Sequence, residues 1–297
     1  MASPTTPTHG KQANLYRRRP GGFSGSGLND LTWGAAFSDT DSAYFEVVIY
    51  GEGTPNTFKW RKNGGSWTTG VNITGSAQTL SDGQQITFAA TTGHTVGDQW
   101  VIGNLYNEAC AESGLTAQIT DALMRLLNPN APPVWTDSGG KQRLEVDYTR
   151  GFATFAENVT AVTVTGNNGY VPEASLEKIG YLLGWTLDLT VDMAEMNYCG
   201  QTWKQWLPGH ASGKGSAEAF FIGGKSFFDG LIAGAGSGDD YFLLELFNYD
   251  PDQDQTGDHI IAWVTFDSFA PGVPMNAVVN ETVNFSTVGP VSFVANV

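Results

Sequence analysis

Gly184-Trp185-Thr186-Leu187-Asp188-Leu189-Thr190-Val191-Asp192-Met193 alternates strictly. Trp185, Leu187, Leu189, Val191 and Met193 fall on one side, and Thr186, Asp188, Thr190 and Asp192 on the other. Successive side chains leave a strand in opposite directions, so a period of two over nine residues is the mark of a β-strand with two unlike faces. The pattern predicts one face packed on a core and one wet, acidic face. Downstream, residues 241–249, 259–267 and 282–288 read as further strands, with 291–297 as a last one. Upstream, residues 143–148 set Leu144, Val146 and Tyr148 against Arg143, Glu145 and Asp147. Gly151 then turns the chain into residues 152–155, and 159–165 follow as another strand.

Residues 43–104 read as a self-contained β-unit. Residues 44–50 form a strand closed by Gly51 and Gly53, and 57–61 form a second. Asn63-Gly64-Gly65 is a hairpin turn before Trp67, and 71–73, 84–89 and 98–102 continue the series. Short strands about ten residues apart predict a small sandwich of immunoglobulin-like type, placed as an insertion. Residues 1–42 are rich in turns around Pro20, Gly21, Gly22, Gly25 and Gly27, and read as an extended arm or long loop, with a short strand at 11–16, that opens the main domain. Residues 105–297 form the main domain.

Two helices are expected. In residues 114–127, Leu115, Ile119, Leu123 and Leu126/Leu127 recur at helical spacing before Asn128-Pro129 stops the run. Residues 216–234, with Phe227, Phe228, Leu231 and Ile232, read as a second helix. Gln201–Pro208, with Trp203, Trp206 and Leu207, reads as a single helical turn or a tight knob. The fold class is mainly β with flanking helix.

The chain has 297 residues, of which 41% are hydrophobic, only 15% are charged and 37 are Gly. That composition is globular, and its low charge fits a subunit that buries much surface between chains. No run of 18 apolar residues spans a membrane, and the polar Met1–Pro7 start shows no secretory signal. Cys110 and Cys199 are far apart and read as reduced thiols. The net charge of −15 is too negative for a stable, sequence-independent grip on DNA. The charge is also polarised. Residues 1–19 carry Lys11, Arg17, Arg18 and Arg19 and no acid, whereas residues 226–297 carry ten acids and no Lys or Arg. Such a chain has the means to mate with its own copies, or else carries a flexible basic arm and a solvated acidic surface.

No catalytic or metal-binding pattern emerges, and no cofactor is expected. The nucleophile elbow, the zinc-protease helix and the phosphate-loop lysine motif are all missing from the sequence. His9, His94, His210 and His259 lie in four separate segments and read as surface or loop residues. Asp250-Pro251-Asp252-Gln253-Asp254 has alternating oxygen donors, but Gln255 and Ile261 stand where a calcium loop wants Gly and Glu. Asp188 and Asp192 lie about 13 Å apart along one strand, too far for a glycosidase pair.

The order of these pieces resembles the major tail tube proteins of long, non-contractile-tailed bacteriophages. The resemblance rests on His9-Gly10-Lys11 leading to Leu15-Tyr16, on the hairpin Val146-Asp147-Tyr148-Thr149-Arg150-Gly151-Phe152-Ala153-Thr154-Phe155, and on Gly184-Trp185-Thr186-Leu187-Asp188. Trp203-Lys204-Gln205-Trp206-Leu207-Pro208-Gly209 and the closing strands around Val283-Asn284-Phe285 and Gly289-Pro290-Val291-Ser292-Phe293 complete it. Residues 53–60, 73–75 and 78–83 look like an immunoglobulin-like module of the kind grafted onto phage structural proteins. The resemblance implies a β-sandwich or barrel with a flanking helix, assembled as hexameric rings that stack into a tube. Its implied partners are the chain itself, the tape measure protein, and the tail terminator and distal tail proteins. DNA meets it only in transit through the lumen, and no membrane is bound. The place is the virion, after assembly in the host cytoplasm. Asp188, Asp192, Glu145 and Asp147 are the candidates for the lumen wall; Lys11, Arg17, Arg18 and Arg19 are the candidates for inter-ring contact. Two structural alternatives stay open: a carbohydrate- or receptor-binding tail fibre or adhesin with Trp67, Trp203 and Trp206 as platforms, and the tube of a contractile tail. An enzyme is not expected.

Overall fold

The computed structural model describes residues 12–18, 22–34, 37, 41–196, 205–221, 241–247, 259–271 and 281–294. Among them the chain is mainly β, and no α-helix occurs. The first strand, β1 (Gln12–Arg18), falls on the strand expected at 11–16 from Gln12 onward and runs two residues beyond it. The chain divides into two compact units, one of residues Met1–Tyr16, Lys178–Gly230 and Tyr241–Val297, the other of Arg17–Glu177 and Leu231–Asp240.

The second of these units begins as a small sandwich. After β2 (Phe23–Ser24) and β3 (Leu31–Gly34) come β4 (Ala43–Gly51), β5 (Thr57–Lys62), β6 (Thr68–Asn72), β7 (Gln78–Thr79) and β8 (Gln85–Phe88). The β3-β8-β7 sheet packs on β4, β5 and the start of β9 (Gln99–Ser113). Val47, Ile49, Phe58, Ile86, Phe88 and Trp100 close the core between them, joined by Leu31 from β3. Asn63 and Gly64 both adopt positive φ, and Gly65 N–H donates to Lys62 O at 2.9 Å. That is the two-residue turn whose twist matches a hairpin.

The Gly-rich stretch before β3 is tied down by one carboxylate. Asp98, 1% exposed, accepts from Ser26 N at 3.0 Å and Gly27 N at 3.1 Å on Oδ1, and from Thr95 N at 2.7 Å on Oδ2. Gly25 and Gly27 lie so close to that carboxylate that a Cβ on either would overlap it. Replacing the acid leaves three amide donors without their acceptor, so Asp98→Ala is expected to cost about 2–3 kcal/mol. Urea denaturation of the two proteins side by side checks it.

Strand β9 is much longer than residues 98–102. Its first part pairs with β4, and its later part pairs with β14 (Val162–Tyr170) and β10 (Thr116–Ile119). It therefore carries the chain from the first core into a second, built also from β11 (Val134–Asp137), β12 (Arg143–Asp147) and β13 (Phe152–Phe155). Gly103 permits this passage, because a Cβ there would lie 2.7 Å from Tyr170 O.

The helix expected at 114–127 is not formed. Gly114, at φ +61°, reverses the chain in a tight hairpin between β9 and β10, and Ala117 and Ile119 reach the core at a strand's period of two. A 3₁₀ turn at Ala122–Met124 follows, its first amides capped by Asp121, whose Oδ1 accepts from Leu123 N at 2.9 Å. Leu115 and Leu123, which a helix would have buried beside Ile119, are 46% and 84% exposed. The alternation at 143–148 is also broken. A register shift between Arg143 and Glu145 leaves Leu144 exposed and buries Val146 and Asp147 in succession.

The other unit holds β1, β15 (Leu176–Met196), β16 (Gln205–Phe221), β17 (Phe242–Phe247), β18 (His259–Pro271), β19 (Glu281–Thr287) and β20 (Ser292–Val294). Their order is β17-β1-β15-β16-β19-β18-β20, and β17 also pairs with β18. The pairings thus close a circuit of six strands, which leaves no free edge within the ring. Phe242, Leu244 and Leu246 stand opposite Val264, Ala262 and Ile260 and share one buried face. Leu15, Ala217, Val283 and Phe285 are buried from the remaining strands. The expected helix at 216–234 is overturned in its first part, since 216–221 continue β16; residues 222–234 lie outside the described residues. Gln205 to Pro208, expected in a helical turn, are likewise strand, and 201–204 lie outside the described residues.

Candidate assembly surface

The stretch that alternates in sequence forms the middle of β15, and its root is fixed by a bulge. Leu183 pairs with Glu218 and Thr186 with Ser216, so Gly184 and Trp185 together face the single residue Ala217. Gly184 takes φ +59°, a backbone state that glycine tolerates without cost and that lets the strand turn at this point. Trp185 then points inward, is 6% exposed and donates from Nε1 to Phe247 O at 3.1 Å.

Beyond Trp185 the expected core face runs out into solvent. Leu187 is half-buried, while Leu189, Val191 and Met193 are 55%, 50% and 51% exposed. Strand β16 pairs with β19 only between Lys214 and Ala219, and Gly213 N donates to Thr287 Oγ1 at 3.2 Å, so among the described pairings its stretch 205–212 has β15 alone as neighbour. Residues with small or compact side chains stand across from the exposed ones: Gly213 opposite Leu189, Ala211 opposite Val191 and Pro208 opposite Met193. The result is a low floor with three apolar side chains standing on it. Covering their remaining surface is worth about 1 kcal/mol each.

The other face of the same ribbon is polar. Asp188, Thr190 and Asp192 are exposed, and Lys214 stands opposite Asp188. Hydroxyl pairs cross the strands at Thr186–Ser216, 2.9 Å, and Thr190–Ser212, 3.0 Å. Asp188 and Asp192 therefore present carboxylates on one face while the apolar side chains occupy the reverse.

The other candidate residues are placed differently. Glu145, in the other unit, is exposed. Asp147 is 3% exposed and works inside its own turn: Oδ1 accepts from Thr149 N, Thr149 Oγ1 and Arg150 N, and Oδ2 pairs with Arg150 Nε at 2.7 Å. Arg17 and Arg18 lie on β1, while Lys11 and Arg19 lie outside the described residues. Trp206 is on β16, and Trp203 lies outside the described residues, as do Cys199, the acidic run 250–254 and His9.

His94 is not a surface residue. It is buried with Nε2 2.7 Å from Asp30 Oδ1 and packs edge-on against Phe88. His259 stacks on Phe247 with ring centroids 5.1 Å apart. Cys110 is a free thiol whose pKa is pushed up to about 12, chiefly by burial, with Glu108 and Glu112 adding to it. Among the described residues no three His, Cys, Asp or Glu converge as a metal site, and no helix is long and apolar enough to cross a membrane.

No protein-family description matches this chain, and no curated protein does. Among solved structures it is similar to a chain from the virion of a native gene transfer agent particle, at 15% identity and TM-score 0.32, covering 41% of this chain and 92% of that one. A chain from the tail of an empty gene transfer agent particle of C6 symmetry is similar at 14% identity and TM-score 0.32, covering 41% and 87%. The sequence reading missed the exposure of Leu189, Val191 and Met193. The signal for it was present in Gly213 and Ala211, residues too small to fill a core layer above those side chains.

Proposed function

We propose that this chain is a structural subunit of a phage-type tail, polymerising through its β15–β16 ribbon into the tail tube. The observation that carries the reading is the ribbon itself: two-stranded, polar on one face, and apolar on a reverse face that a single chain leaves in water. Exposed apolar patches of this kind mark surfaces that other chains cover. The sequence resemblance supplies the rest of the proposal. Six copies close a ring, rings stack around the tape measure protein, terminator and distal proteins cap the ends, and DNA passes through the bore.

Asp188 and Asp192 line that bore in this proposal. A carboxylate wall repels phosphate and releases no counterions to it, so DNA slides rather than sticks. Glu145 and Asp147 are the weaker lumen candidates, Asp147 because its carboxylate is already engaged. The small sandwich, residues 43–104 together with β3, is the immunoglobulin-like module and decorates the outside of the tube. Lys11 and Arg17–Arg19 bridge to the acidic 226–297 stretch of a copy in the next ring.

The bridge is tested by the triple variant Arg17→Glu, Arg18→Glu, Arg19→Glu. It is expected to stay folded by circular dichroism and to give tubes shortened or absent in electron micrographs, with the loss deepest at low salt. Tubes of normal length at both low and high salt would remove these arginines from the contact.

A further inference from the structure

The outer face of the small sandwich carries a second surface, unrelated to the ribbon. On β5, Lys59 and Arg61 point away from the core, across from Val48 and Glu46 of β4. Trp67, just before β6, gathers both cations: Lys59 Nζ lies 4.6 Å and Arg61 Cζ 4.4 Å from its ring centroid. Lys59 also lies 5.8 Å from the ring centroid of Tyr50, which is 52% exposed at the end of β4.

The arrangement is braced from behind. Gln99 Nε2 donates to Glu46 Oε1 at 3.2 Å, and Glu46 Oε2 accepts from Arg61 Nε. This brace occupies one guanidinium donor, and the terminal nitrogens make no hydrogen bond among the described residues. Lys62 is paired with Asp82 at 2.9 Å, whereas Lys59 has no carboxylate partner among the described residues. In a chain of net charge −15, residues 43–72 hold three cations against two carboxylates. A cation held over a ring is ordered in advance, so less side-chain entropy is lost when an anion arrives.

We propose that this face binds an acidic polysaccharide, with the carboxylate of a uronic acid on Lys59 and Arg61 and the sugar ring lying on Tyr50. The apolar C–H face of a pyranose suits an exposed aromatic ring, and a planar carboxylate suits a guanidinium with free terminal donors. One exposed ring beside two cations matches a single charged sugar. Single-stranded nucleic acid asks for more, namely a cationic groove with several successive stacking rings.

The test is biolayer interferometry on the immobilised full chain, with polygalacturonate oligomers as the probe, and neutral dextran and oligothymidylate as the other arms. Polygalacturonate is expected to bind in a salt-sensitive way while dextran does not. Tyr50→Ala and Lys59→Gln are each expected to weaken it by about tenfold or more with unchanged thermal melting. Both side chains lie at the surface, so loss of fold does not mimic loss of binding, and Tyr50→Phe should restore it. Failure of the wild type to bind polygalacturonate, equal binding by either variant, or tighter binding of oligothymidylate would each overturn the proposal. Tube formation does not enter the readout.

Discussion

Leu189→Asp combined with Val191→Asp is expected to leave the chain folded and stop it assembling. Both side chains are at least half exposed in the single chain, so charging them costs the monomer little, and its melting temperature should shift by no more than a few degrees. In an assembly that covers the apolar face, the same two carboxylates would be buried without partners. That penalty is several kcal/mol per site, multiplied by every copy in the structure. Light scattering coupled to size-exclusion chromatography should show the variant fixed at the mass of one chain at concentrations where the wild type forms large particles. Thr190→Asp, on the polar face between them, is the control and should assemble.

Gly215→Val should strongly destabilise the barrel unit. A Cβ at Gly215 would overlap Thr186 O, which is backbone and cannot rotate away, and also the ring of Phe285, which is 1% exposed in the core. The glycine thus does more than relax the backbone: it lets the β15 carbonyl and the β19 ring meet across β16. Valine adds two further methyl groups to this overlap. The expected loss is about 3 kcal/mol or more, at the upper end of what overpacking costs, and it should appear in thermal unfolding as a lower first transition. Gly184→Ala is a milder companion. Nothing lies within 4 Å of its Cβ, so only the positive φ opposes it, and about 1 kcal/mol is expected.

The β content was legible because Trp185–Met193 keeps a period of two, which belongs to strands alone, and because Gly151 marks the turn into residues 152–155. The helix at 114–127 was misread because a spacing of four satisfies both a helix and a strand. Gly114 decided the matter by reversing the chain, and Thr116 and Ile119 favour the extended state that follows. The faces of residues 143–148 were read correctly for Val146 and Tyr148, which pack on the second core, and for the exposed Arg143 and Glu145. Leu144, beside an irregularity after Arg143, and Asp147, whose carboxylate Oδ1 accepts three hydrogen bonds inside its own turn, are the two that depart, and no composition marks either. The assembly surface was half legible. Alternation located its two faces, yet a pattern of apolar residues looks the same whether its cover comes from the same chain or from another. Gly213 and Ala211 on the facing strand held the missing information, and it takes the strand register to connect them to Leu189 and Val191.

In the proposed function the apolar ribbon face drives polymerisation into a hollow tube. Negative-stain electron microscopy of the purified 297-residue chain, imaged beside the Leu189→Asp/Val191→Asp variant, decides it. Stacked hollow rings are expected for the wild type and isolated particles for the variant. A wild type that stays monomeric or trimeric at every concentration, or a variant that builds the same tubes, would contradict it.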